Sequence, residues 1–283
     1  MPSILFGDGI KGGVGKSFFN RCIVQYFLYK SWNYTLIEAD ATIPDVRKIY
    51  NKNCKVVCFS DDPRQSHKPD IIFNESLKNT VIVNLPSNVF DPFNYWVNSA
   101  GLLELKDKYQ VEIVKLFVTD GCFESIEMFK KSLQKFDGAI PHVLIRNTGR
   151  LTTDVDFSYL EEKEDLCELL QNYCVPVYDL PALTSREQYL IDQHSLTLEE
   201  AATRIDLLNA TGAQRVVNFL NNVYALFDSI ERIQAAGLEK DKSKVKKSVT
   251  AQETNLETKR KPKEGNKAGD NQQPASDIVV PIT

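Results

Sequence analysis

Short apolar and β-branched runs recur along the chain, separated by stretches in which apolar positions return every three or four residues. Ser3 to Phe6, Thr35 to Ala39, Lys55 to Phe59, Thr80 to Leu85, Val111 to Val118, His142 to Arg146 and Val175 to Asp179 read as strands. Between the first two runs, Phe18, Phe19, Cys22, Ile23, Tyr26 and Phe27 share one face of a helix that packs on the sheet. Leu160 to Leu170 and Leu198 to Phe227 repeat the helical spacing. Strands alternating with amphipathic helices predict an α/β fold: a mostly parallel, twisted sheet of about seven strands flanked by helices.

The pattern stops near Ala235. From Glu239 onward there are 10 Lys plus Arg, 7 Asp plus Glu and no Phe, Tyr or Trp, so this part carries +3 and the rest of the chain, with 24 against 31, carries −7. A segment so poor in large apolar groups cannot offset the entropy of ordering. We therefore expect one domain over residues 1–235 and a disordered, lysine-rich tail over 236–283. The basic clusters Lys240 to Lys247 and Lys259 to Lys263 allow non-specific DNA contact, although intervening acids dilute them. The apolar end Ile278 to Ile282 has the character of a short docking peptide.

With 283 residues and 42% hydrophobic composition the chain is long enough for a full core. It has no apolar run of roughly 18 residues and no secretory pattern at its start, which predicts a cytoplasmic protein without a membrane span. The six cysteines form no CxxC pair, so small buried hydrophobes with reduced thiols are expected rather than a zinc site or a disulfide framework. His67, His142 and His194 show no hydroxyl or carboxylate partner at catalytic spacing and are expected in packing or surface roles.

Chemistry concentrates in Ile10-Lys11-Gly12-Gly13-Val14-Gly15-Lys16-Ser17, between the first strand and the first helix. Glycines let the backbone wind tightly and aim successive N–H groups at a polyphosphate, and the helix that follows adds its positive end. Phosphate contacts are expected along Gly12, Gly13, Val14, Gly15, Lys16, Ser17 and Phe18. Lys16 neutralises the outer phosphates and Ser17 reaches Mg²⁺. Ile10 stands where the consensus has glycine, but the strand–loop–helix context and the GKS ending identify a P-loop.

The second lysine, Lys11, makes this loop similar to the deviant Walker A sequence KGGxGK[ST] of the ParA and MinD ATPases. The resemblance extends in order over about residues 3 to 225. It implies a P-loop NTPase fold, ATP or ADP with Mg²⁺ as cofactors, and a nucleotide-dependent homodimer in which Lys11 reaches the partner's phosphates as an arginine finger does. Leu36-Ile37-Glu38-Ala39-Asp40 and the residues to Asp45 resemble the first switch, where Asp40 orients the attacking water or holds the metal's hydration shell and Glu38 ranks second. Thr80 to Ser87 resembles the Walker B strand and second switch, but Asn84 replaces the usual aspartate, which weakens the metal site and puts fast hydrolysis in doubt. Asn147, ending the sixth strand, matches the residue that reads adenine, with closure of a turn as the alternative. Pro181 matches the loop covering the base. The aromatic stretch Phe90 to Trp96 is either a partner surface or, more in keeping with its composition, core packing beneath a loop.

The combination GGVGKS, IEADATIPDV and VIVNLPS is most similar to ParA-like ATPases encoded with plasmid mobilisation and stability functions, MobD-like proteins among them. The function implied is a slowly hydrolysing ATPase switch, with Lys11, Lys16 and Asp40 catalytic and Ser17 and Asp40 at the metal, acting through an unidentified partner protein on DNA. Two alternatives stay open: an adaptor with negligible catalysis, and a small-molecule phosphotransferase or ligase of the dethiobiotin synthetase-like branch.

Overall fold

A computed structural model describes residues 2–9, 12–40, 44–151 and 156–238. Lys11 and Ile10, the switch residues 41–43, and the tail from residue 239 with its basic clusters and apolar end lie outside the described residues, whereas Ala236 and Gly237, expected in the tail, belong to a helix. In chain order the elements are β1 (Ser3–Asp8), α1 (Lys16–Tyr29), β2 (Tyr34–Glu38), α2 (Asp45–Ile49), β3 (Cys54–Val56), α3 (Asp70–Ser76), β4 (Thr80–Asn84), α4 (Phe90–Ser99), α5 (Leu102–Tyr109), β5 (Glu112–Thr119), α6 (Phe123–Phe136) and β6 (His142–Asn147). A short 3-10 turn (Thr148–Arg150) follows, then α7 (Ser158–Glu161), α8 (Glu164–Asn172), β7 (Val177–Leu180), α9 (Ser185–Gln193), α10 (Leu198–Thr203), α11 (Ile205–Ser229) and α12 (Glu231–Gly237).

All seven strands join one sheet in the order β3-β2-β4-β1-β5-β6-β7, and each pairing is parallel. A parallel sheet buries both faces, which is why its strands are apolar at nearly every position. Along β1, Leu5 points into a core shared with α1 and α9 to α12, while Ile4 and Phe6 point into the opposite core with α3 and α4. Phe93 and Trp96 are buried there, and both rings pack edge-on to Phe6. The aromatic stretch is thus core packing.

Several expectations need correction. The helix expected over Leu160 to Leu170 is broken into α7 and α8 at Glu162 and Lys163. The long periodic stretch from Leu198 divides at Arg204, and Asn209 (φ 56°) interrupts α11; its Oδ1 accepts from the N–H of Gly212 at 2.9 Å, a cap that restarts the helix. Of the six free cysteines only Cys22 is buried, where burial pushes its thiol up to about 12, whereas Cys58 and Cys174 are exposed. At the far end, α12 buries Ile233 and Ala236, and Thr80 donates to the Ala236 carbonyl.

Candidate functional site

β1 is central, and the loop after it emerges at the carboxyl ends of the strands, where open α/β sheets bind ligands. Gly13 (φ 91°) and Gly15 (φ 96°) adopt left-handed backbone that glycine reaches at no steric cost. A Cβ on Gly13 would meet nothing within 4 Å, so the loop's outer side is open; one on Gly15 would lie 2.1 Å from Nδ2 of Asn147. Gly12 is exposed and Val14 is buried in the core, which pins the loop from below. α1 starts at Lys16 with no side-chain cap and no acid in its first turn, leaving its positive end uncompensated.

Lys16 is 6% exposed. Burial lowers its pKa, opposed by the carboxylates of Asp8, Asp40 and Glu38, which surround it electrostatically without reversing the shift. The structure therefore brings Lys16, Ser17, Asp40 and Glu38 to one end of the sheet. Ser17 and Asp40 are both partly exposed and offer a hydroxyl and a carboxylate, the hard oxygen donors that Mg²⁺ prefers. The open loop and the uncapped helix fit a polyphosphate in the same way. Among the described residues no group of three or more His, Cys, Asp or Glu could hold a metal by itself, so a cation here would share its shell with water or phosphate.

Asn84 is not aimed at a ligand. It is fully buried, its Oδ1 accepts from Nδ2 of Asn20 at 2.7 Å, and its own Nδ2 donates to Oε1 of Glu38 at 2.7 Å. Asn147 is also committed: Nδ2 donates to the Val14 carbonyl at 2.8 Å and Oδ1 accepts from the N–H of Gly149 at 3.1 Å. It joins β6 to the phosphate loop and closes the 3-10 turn, while one amide hydrogen and one lone pair remain for other partners. Phe18, Asn147, Arg150 and Pro181 line a crevice beside Gly15 with room for about one water. A purine would require that crevice to widen. A roomier groove of about 710 Å³ lies at the amino ends of β2 and β3, but its buried acid, Glu75, is already satisfied by Lys55 and Lys78.

Sequence reading missed a buried chain that starts at the loop. Asp8, 1% exposed, accepts from the N–H of Gly9 at 2.7 Å and pairs with Lys115 Nζ at 2.7 Å. Lys115 also donates to Ser132 Oγ at 3.0 Å and lies 4.6 Å from the Phe93 ring centre. Ser132 is 2.9 Å from Nε2 of His142, whose Nδ1 is 2.8 Å from the Ile140 carbonyl. Since a carbonyl only accepts, Nδ1 carries the proton and Ser132 donates to Nε2. Burial, then the charge of Lys115, push His142 down to about 3. For Asp8, burial raises the pKa but Lys115 outweighs it, holding the carboxyl below its ordinary value. The packing role expected for His142 holds, with a hydroxyl partner the sequence did not reveal; a lysine inside Ile113-Val114-Lys115-Leu116-Phe117 was the available signal. Arg150, exposed at the crevice rim, was likewise unassigned.

No family model matches the chain. Protein MobD of Acidithiobacillus ferrooxidans is 30% identical over 156 residues, which covers 51% of this chain and 63% of that protein, so the match spans less than two thirds of the curated relative. Among solved structures, the MinD cell division protein of Aquifex aeolicus is similar at 12% identity and a TM-score of 0.46, covering 79% of this chain and 96% of that one. The septum site-determining protein MinD of Pyrococcus horikoshii OT3, complexed with Mg-ADP, gives 13% and 0.47 over 78% and 95%. A ParA family ATPase from Chlorobium tepidum TLS gives 11% and 0.46 over 77% and 97%. Proteins of the ParA and MinD kinds, which the loop and switch sequences resemble, are thus among its structural neighbours. No helix among the described residues is long and apolar enough to cross a membrane.

Proposed function

We propose that the chain is an ATP-binding, nucleotide-switched ATPase of the ParA/MinD type, cytoplasmic and serving plasmid mobilisation, stability or partition. The observation that carries the reading is the phosphate loop: left-handed Gly13 and Gly15, an open outer side, and a buried Lys16 at an uncapped helix start. The resemblance to MobD-like proteins and the 30% identity to Protein MobD support the plasmid setting.

The chain's own residues divide the work. Backbone N–H groups from Gly12 to Phe18 and the Lys16 ammonium hold the phosphates, where developing charge is stabilised without reorganisation. Ser17 and Asp40 would hold Mg²⁺, which when bound neutralises charge between the outer phosphates. Asp40 accepts a hydrogen bond from the attacking water and orients it. Asn147 and Pro181 border the base and Phe18 flanks it, once the crevice widens. Lys11 supplies positive charge from the second subunit of a homodimer, and the dimer engages a partner protein on DNA.

A second reading, an adaptor that binds nucleotide with negligible turnover, is favoured by one observation: Asn84 brings no charge and has both ends of its amide occupied. Light scattering with a non-hydrolysable ATP analogue tests the switch. The parent should dimerise with the analogue and not with ADP, and Lys11→Ala should bind ATP yet stay monomeric. Analogue-dependent dimerisation unaltered by Lys11→Ala would refute the role given to Lys11. Hydrolysis measured with and without candidate partners separates ATPase from adaptor.

A further inference from the structure

Glu38 closes β2 and is fully buried. Its Oε1 accepts from Nδ2 of Asn84 at 2.7 Å and from the N–H of Asp40 at 3.1 Å, while Oε2 accepts from the N–H of Arg47 at 3.2 Å. The three donors belong to β4, to the segment leaving β2 and to α2. One carboxylate thus fastens the backbone on both sides of residues 41–43. α2 has no side-chain cap of its own at Pro44, so Glu38 serves the Arg47 amide from the neighbouring strand.

Register explains the reach. Glu38 and Asn84 are directly paired residues of adjacent parallel strands, and Asn84 is paired on its other side with Gly7 of β1. Gly7 must be glycine, because a Cβ there would sit 2.1 Å from Oδ1 of Asn20, the α1 residue that donates to Asn84. Among the described residues Asn20 Oδ1 has no hydrogen-bond partner. The relay from Asn20 through Asn84 to Glu38 therefore ties the helix after the phosphate loop to the first-switch backbone. Its middle member must accept at one end and donate at the other. An amide does this; an ionised carboxylate has no donor.

We propose that Glu38 is the positioning carboxylate of this nucleotide site, and that position 84 is asparagine because Glu38 requires its donor. The carboxyl group that the Asp-x-Pro pattern would put at the end of β4 stands one strand over, at the end of β2. The proposal rests on the nucleotide-site reading above, but its consequences appear in the free protein. Asn84→Asp should not repair a damaged metal site. It places two carboxylates in the contact Asn84 now bridges, where two ionised acceptors have no donor between them and are driven apart.

Amide hydrogen exchange of the nucleotide-free full chain, read at Asp40 and Arg47, tests this. In Asn84→Asp both amides should exchange at least tenfold faster than in the parent, with helices α6 and α8 unaffected. The exchanged pair Glu38→Gln with Asn84→Asp restores a donor facing an acceptor. The carbonyl oxygen of the new side-chain amide at position 38 is left for Arg47, so Arg47 protection should return to within threefold of the parent while Asp40 stays fast. Unchanged exchange in Asn84→Asp overturns the proposal, and so does a double variant that protects neither amide. If Asn84→Asp does not fold, the double variant decides: a folded protein with Arg47 protected supports the proposal, and an unfolded one overturns it. ATP binding by the parent, measured separately, tests the nucleotide reading and leaves this result standing either way.

Discussion

The Asp8–Lys115–Ser132–His142 chain and the Asn20–Asn84–Glu38 relay both start beside the phosphate loop, yet only the first closes on itself. It runs from the Gly9 amide to the Ile140 carbonyl with every link made, under the rings of Phe93 and Phe136. The relay ends on one side at an Asn20 oxygen without a partner among the described residues and, on the other, fastens backbone next to residues that would meet a nucleotide. A fully satisfied buried network fixes a shape, whereas a partly satisfied one leaves a buried polar atom uncompensated. We read the first as the scaffold that sets where the loop begins and the second, which fastens backbone beside the first-switch residues, as the part that would respond.

Breaking the scaffold should cost most. Lys115→Met leaves Asp8 buried without its counter-charge, for which about 3–5 kcal/mol is the usual loss. Urea unfolding at neutral pH measures it, and a loss below about 1 kcal/mol would place Asp8 outside the folding energetics. Lys16→Ala should do the reverse, leaving stability near the parent's while weakening ATP at least 100-fold, about 2.7 kcal/mol. Calorimetry and urea melts on the same variant separate the two effects.

His142 gives the scaffold a pH signature. Its folded pKa of about 3 lies below the ordinary 6.5, so between those values the unfolded chain binds a proton that the folded chain refuses. Stability must therefore fall as pH falls through 6.5, by about 2 kcal/mol between pH 7 and 5. His142→Gln should lose that slope whatever its baseline; urea melts at the two pH values in parent and variant read the difference. An effect of similar size or below is expected from Gly15→Ala, about 1–2 kcal/mol for a Cβ at a left-handed position, with displacement of Asn147 from Val14. Thermal unfolding checks it, and an unchanged melting temperature would show that the loop re-forms without that contact.

The responding half was more legible in the sequence than the scaffold. Glycines, a lysine and a serine in fixed order announce a phosphate loop because each residue type has one local task there. Asp40 and Glu38 stood out because they lie at the carboxyl end of a strand, in a run that resembles the first switch. The seven strands were readable because a parallel sheet is apolar on both faces. The links Asn20 to Asn84 and Asp8 to Lys115 were not, because they join residues 64 and 107 positions apart that only strand order brings together. Asn84 looked like a weakened metal ligand from its place in β4; its task became visible only once Glu38 stood directly beside it. Asn209 escaped notice because its restart of the helix depends on one backbone angle.

On the function proposed above, the turn of backbone from Gly12 to Ser17 binds a nucleotide polyphosphate. Titration calorimetry of the full chain with ATP and with ADP, each with Mg²⁺, measures this directly. Saturable binding of one nucleotide per chain is expected, weakened at least 100-fold by Lys16→Ala. No heat from either nucleotide, with the parent folded, would contradict it.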